Sequence, residues 1–153
     1  GAGDDVPAHR IPGAAAMNRW VGAYVGLPHA LDPHGDGPDA FSCWGLVRHV
    51  FRDVHGIVFQ PVAVSESAPS SPQNARAILA CARAASMRRL PDRTKPADGD
   101  IVIMRSLVRL HCGLVVRANG GLRVLHSSHE AGVVLEQWRD ATAGMSTELW
   151  RRE

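Results

Sequence analysis

The chain has 153 residues, of which 45% are hydrophobic and 21% charged, a composition that fits one globular domain with its own core. Its formal net charge of +2, with a pI near 8.7, is too small and scattered an excess to argue for nucleic acid, and no basic stripe with interleaved aromatics occurs. No apolar run approaches the ~20 residues that a membrane span needs.

Residues 1–16 (GAGDDVPAHRIPGAAA) read as a loose leader with no charged-then-apolar signal segment, and residues 17–153 as a single domain. The apolar stretch Met17–Val25, with Trp20 and Tyr24, predicts a helical turn or two. The Gly-, Pro- and Asp-rich run LPHALDPHGDGPDAF must be loop. From Cys43 onward, Leu46, Val47, Val50, Phe51 and Val54 recur at helical spacing, with Arg48, His49, Arg52 and Asp53 on the other face. Gly56 is the natural stop, and Cys43 therefore opens the helix. His34, His49 and His55 are expected in solvent.

A linker rich in Pro and Ser (Pro61 to Ser71) precedes a second predicted helix, which begins near Pro72 with Ser70 or Ser71 as cap and ends before Pro91. Its inward face would be Ala75, Ile78, Leu79, Ala82 and Ala85. The remainder reads as strands: IVIMR after the turn Asp98-Gly99-Asp100, LHCGLVVRA and LRVLHS on either side of Asn119-Gly120-Gly121, then GVVLEQW and ELWRR. Trp138 and Trp150 are expected in the core or at the sheet edge. Helices followed by an antiparallel sheet make the fold α+β.

Three cysteines cannot all pair within the chain, and their spacing fits no zinc or redox motif. Cys81, inside the second helix, and Cys112 are expected to be buried free thiols. Cys43 differs by its place. A thiol becomes a nucleophile as thiolate, and the unpaired amides and dipole of a helix N-terminus stabilise that anion. The same amides can receive the oxyanion of a tetrahedral intermediate. A neighbouring histidine would complete an ion pair and later protonate a leaving amine.

His111 and His126 are the candidate histidines. With a hairpin loop of two residues (Asn119-Gly120) or four, His126 falls opposite Gly113, and His111 shares that face through the two-residue period of a strand. A three-residue loop would put the two histidines on opposite faces. Gly113 leaves room between them, and Cys112 points to the face opposite His111.

These residues carry a family resemblance. Phe41-Ser42-Cys43-Trp44-Gly45-Leu46-Val47 resembles the nucleophile motif of NlpC-type peptidases, Asp-Cys-Ser-Gly-Leu-Val, and especially its Asp-Cys-Trp-Gly-Leu-Val form in phage tail proteins. Gly99-Asp100-Ile101-Val102-Ile103 and His111-Cys112-Gly113-Leu114-Val115-Val116 are similar to the family's Gly-Asp-Leu-Val and His-Val-Gly-Ile strands. Val124-Leu125-His126-Ser127 and Gly132-Val133-Val134 resemble the strands that follow. The matched blocks span about residues 20–138 in the family's order.

The resemblance implies a papain-like fold, with N-terminal helices packed on a five- to six-stranded antiparallel sheet. Cys43 would attack, His111 would act as general base and then acid, and His126 would orient His111, with His129 as the competitor for that third place. The reaction implied is hydrolysis of amide bonds in peptidoglycan stem peptides, of the D-glutamyl–diaminopimelate type, with no metal and no cofactor. Ser42 stands where the family usually has aspartate. The upstream aromatic position falls on Tyr24, or on His29 when Leu27-Pro28 is aligned. Ser42, Tyr24, His29 and Trp44 are the positions that would meet substrate, although Trp44 could equally pack beneath the helix. The partners implied are peptidoglycan peptide and phage tail-tip proteins, which would place the chain in a virion tail or at the bacterial cell envelope. Two other readings are open: a different papain-like amide chemistry, such as an amidase or acyltransferase, and a structural tail component whose site is inactive.

Overall fold

The computed structural model describes residues 20–31, 35–59, 76, 79–80, 86–107 and 110–153. The leader at 1–16, His34, Cys81 and most of the second predicted helix lie outside these residues.

Asn119-Gly120 fixes the register of the sheet. Both residues have positive φ, 52° and 78°, as a two-residue type I′ turn requires, and the turn pairs Ala118 with Gly121. From this hairpin six antiparallel strands are laid out: β1 (Met87–Arg89), β2 (Ile101–Arg105), β3 (Leu110–Ala118), β4 (Gly121–Ser128), β5 (Gly132–Gln137) and β6 (Ser146–Arg152). Their order is β1-β6-β2-β3-β4-β5. The fold is α+β, as the order of predicted elements requires, and papain-like, as the resemblance implies.

Helix α1 (Cys43–Val50) lies against β3 and β4. Its apolar stripe, Leu46, Val47 and Val50, is buried with Phe51 against Ile101, Ile103, Leu114, Val116 and Leu125. Each aliphatic side chain so buried contributes roughly 1.5–3 kcal/mol. The opposite face of the sheet carries a smaller cluster, Val102, Met104, Val115, Val124 and Leu149. Trp138 and Met145, from the connection between β5 and β6, cover it. Below the sheet turn, buried Asp100 accepts two hydrogen bonds from Arg151, at 2.7 and 2.8 Å, and one from the Ala97 amide.

Three elements differ from the sequence reading. The helix continues past Val50 as a π-helical turn, Phe51–His55, before Gly56 closes it in the left-handed region at φ 69°. The wider turn rotates later side chains away from the α-helical stripe, which leaves Val54 36% exposed rather than in the core. The second predicted helix does not reach Pro91: Ser86 adopts φ 61°, and Met87–Arg89 form β1 by pairing with Arg152–Trp150 of β6. Strand β5 stops at Gln137, and Trp138–Ala141 form a short helix, α2. His49 is also half-buried rather than solvated, because its ring packs edge-on against Tyr24 and Phe41.

The start of α1 is fixed by backbone contact. Ser42 caps the helix, its Oγ accepting from the Gly45 amide at 3.1 Å, while its own amide donates to the Gly35 carbonyl at 2.7 Å. A side chain at Gly45 would collide with that same Gly35 carbonyl. Helix propensity alone favours Gly45→Ala by about 1 kcal/mol, but a backbone obstacle cannot move aside cheaply. We expect Gly45→Ala to destabilise the fold by about 1–3 kcal/mol. Gly22→Ala, in the helical segment 20–24 with open space at its Cβ, should be neutral or stabilising by up to about 1 kcal/mol. Urea unfolding midpoints of the two variants check the contrast.

Candidate functional site

Helix geometry leaves the amides of Cys43 and Trp44 without intrahelical acceptors, so the tip of α1 is electropositive. The Cys43 side chain sits there, 6% exposed, close enough to His111 and Cys112 for both to act on its ionisation. The two contacts come from opposite faces of β3, since His111 and Cys112 are consecutive. This is possible because the β3–β4 register runs only as far as Leu114↔Leu125, while β3 stays paired to β2 down to Leu110. The tip of α1 lies near this end of β3, where the Cys112 backbone also lowers the Cys43 pKa.

The sulfur's ionisation follows from these neighbours. The Cys112 thiol, donating to it, does most to hold the Cys43 pKa well below the ordinary thiol value; burial opposes this, and the His111 hydrogen bond and charge lower it further. Cys112 is pushed well above the ordinary value by its hydrogen bond to Cys43 and by burial. Of the pair, Cys43 is thus the more acidic thiol and Cys112 the less.

His111 and His126 meet through their rings, with centroids 4.9 Å apart at 83° and His111 Nε2 2.8 Å from His126 Nδ1. Gly113 permits the approach, because a Cβ there would come within 3.0 Å of the His126 Cβ and 2.9 Å of the Leu125 carbonyl. His126 Nε2 lies 2.7 Å from Glu136 Oε1. Both histidines are buried, at 8% and 6% exposure, whereas the Glu136 side chain is 40% exposed. His111, His126, Glu136, Ser106, Ser128 and Asp140 line a cavity of about 330 Å³, with α2 forming part of its wall. Among the described residues no group of three or more His, Cys, Asp or Glu could hold a metal ion.

The other sequence-selected residues lie around this chain of groups in different roles. Ser42 is buried as the helix cap. Trp44 is 1% exposed and packs beneath the helix on Phe59, with ring centroids 5.3 Å apart. Tyr24 packs on Phe41 and bonds His49 Nδ1 through its hydroxyl at 2.6 Å; burial, with the charge of Asp53, pushes its pKa up to about 12. His29 Nδ1 lies 2.8 Å from Ser127 Oγ. Because that hydroxyl donates to the Phe41 carbonyl, the His29 nitrogen is the donor. His129 stacks edge-on against His29, at a centroid distance of 5.1 Å, so the structure pairs it there and places His126 beside His111.

Two participants escape sequence reasoning. Cys112 is placed correctly on the face opposite His111, but alternation does not say that the helix tip would reach it. Glu136 is invisible until the β4–β5 turn is known to span residues 129–131: the pair His126↔Val134 then puts Glu136 two positions on, on the face of His126.

Among solved structures the chain is similar to a candidate xylanase from Bacteroides fragilis (23% identity, TM-score 0.32, covering 57% of this chain and 47% of that one). It is also similar to an N-acetylmuramoyl-L-alanine amidase from Bacteroides uniformis (20% identity, TM-score 0.31, covering 54% and 44%). The matched part spans under half the length of either, and likenesses this partial carry no functional argument. No curated protein matches the chain. A family model described as the NlpC/P60 family matches residues 32–152, which takes in α1, all six strands and every group of the Cys43–His111–His126 arrangement. The chain belongs to the NlpC/P60 family.

Proposed function

We propose that this chain is a cysteine hydrolase that cleaves an amide bond in peptidoglycan stem peptides, of the D-glutamyl–diaminopimelate type. The observation that carries the reading is the contact of the Cys43 thiol, at a helix tip, with His111, whose far ring nitrogen is in turn held by His126. Family membership makes a cell-wall peptide the favoured substrate class. The Cys-Trp-Gly-Leu-Val wording of the nucleophile motif supports delivery on a phage or prophage tail.

In this mechanism His111 takes the Cys43 proton and the two form a thiolate–imidazolium pair. The sulfur attacks the amide carbonyl carbon, and the amides at the start of α1 receive the oxyanion. His111 gives its proton to the leaving amine as the C–N bond breaks, leaving an acyl thioester on Cys43. Water, deprotonated by His111, then adds to the thioester, and the C–S bond breaks to release the carboxylate and restore the thiolate.

Two outcomes follow. Cys43→Ala and His111→Ala should each lower digestion of purified peptidoglycan by about three orders of magnitude or more, and the double variant should be no worse than either single one. The new termini, identified by mass spectrometry, name the bond: a free amine on diaminopimelate supports the endopeptidase, and release of intact stems from muramic acid would replace it with an amidase. Undiminished digestion by Cys43→Ala would exclude the whole mechanism.

The pH dependence of the thiolate supplies the second outcome. Since the Cys112 thiol hydrogen bond is the largest influence lowering the Cys43 pKa, its loss raises that pKa and shrinks the thiolate fraction at any pH on the rising limb. The alkylation rate of Cys43 in Cys112→Ala should therefore climb at higher pH than in the parent. Cys112→Ser, which restores a hydroxyl donor, should fall between the two.

A further inference from the structure

Glu136 extends the hydrogen-bonded line beyond the three groups of the proposed mechanism. It sits on β5 opposite Val124, diagonal to His126 and on the same face of the sheet. Its carboxylate is 2.7 Å from His126 Nε2, and the other ring nitrogen of His126 is 2.8 Å from His111 Nε2. An ionised carboxylate can only accept a hydrogen bond. The Nε2 of His126 therefore carries the proton, and in neutral His126 the Nδ1 is left as a lone pair. That lone pair can only accept, so His111 must donate to it from Nε2. With Nε2 of His111 committed as a donor, its Nδ1 is the nitrogen left with a lone pair to take the Cys43 proton.

We infer that Glu136 is a positioning residue of this site, which fixes the tautomers of His126 and His111 so that the basic nitrogen of His111 is the one available to Cys43. The inference rests on the cysteine hydrolase reading for its link to catalysis, but its statement about protons does not. The same carboxylate supplies a second effect: it is the negative end of a line whose positive member is the His111 imidazolium, and it stabilises that cation through the His126 ring. Among the described residues, the other ionisable groups near the two rings are the Cys43 thiol from α1 and Asp140 from α2, which lines the same cavity. Arg105, at the end of β2, is engaged by Glu148 at 3.5 Å.

The test uses Glu136→Ala and Glu136→Gln in the full chain. Nitrogen-15 NMR of the imidazoles should show His126 in the parent protonated on Nε2, with Nδ1 unprotonated. Glu136→Ala should mix the His126 tautomers. Glu136→Gln, whose carbonyl can still accept from Nε2, should keep the parent tautomer while removing the charge. Digestion of peptidoglycan should fall about 10- to 100-fold in Glu136→Ala, as when a carboxylate orienting a functional histidine is removed, and less in Glu136→Gln. Because the side chain is 40% exposed, neither variant should lose much thermal stability. A parent His126 protonated on Nδ1, or a His126 tautomer unchanged in Glu136→Ala, would overturn the inference. Correct tautomers in a protein that digests no peptidoglycan would leave it standing and remove the proposed substrate instead.

Discussion

Main chain packed directly on main chain is the constraint from which the site follows. Three glycines hold such approaches: Gly45 against Gly35, Gly113 against Leu125 and His126, and Gly132 against Leu27. The first docks the loop before α1 on the helix itself, the second lets β4 draw its histidine over β3, and the third ties β5 to the segment before the loop. An added methyl group at any of them would meet backbone or a neighbour that cannot step aside. With all three in place, the thiol and two imidazoles are brought together by elements that each bury a large apolar face elsewhere, so the geometry is held by the core rather than by the polar groups themselves.

That division of labour explains how the buried thiol can be ionised. Isolated thiolate in hydrocarbon would be too costly to form. Here the Cys112 thiol and backbone and the His111 imidazole favour the charge, and together they outweigh the burial that opposes it. The same argument makes Cys112 more than filler. Its own pKa is pushed up by the hydrogen bond to Cys43 and by burial, and a residue that composition alone would file as core bears on the ionisation of Cys43.

Much of this was legible in the sequence where periodicity and turn chemistry are strong. The Asn119-Gly120 turn fixes a register, and that register puts His111 and His126 on one face before any coordinates are seen. The α1 stripe and the Gly56 stop follow from spacing. What stays hidden depends on relations that spacing does not encode. Trp138 continues an apolar strand pattern yet turns into α2, because the second cluster of the sheet needs a cover. Met87–Arg89 have no strand signature, and join the sheet because β6 offers an edge. Glu136 and Cys112 matter only through how far one strand is offset from the next and which face the helix lies upon. Tyr24 and His29, chosen by alignment with an upstream aromatic, sit in contacts of their own with His49 and Ser127.

The cap of α1 has an electrostatic consequence. An aspartate at position 42 would satisfy the Gly45 amide as well as Ser42 does, but it would set a second anion beside the sulfur. At about 6 Å and an effective dielectric near 20, that repulsion is on the order of 3 kcal/mol against forming the thiolate. A hydroxyl closes the helix with no charge, and the first turn, Cys43–Leu46, contains no acid either. The departure from the usual residue thus leaves the helix anchored and sets no further negative charge at the helix tip beside the sulfur.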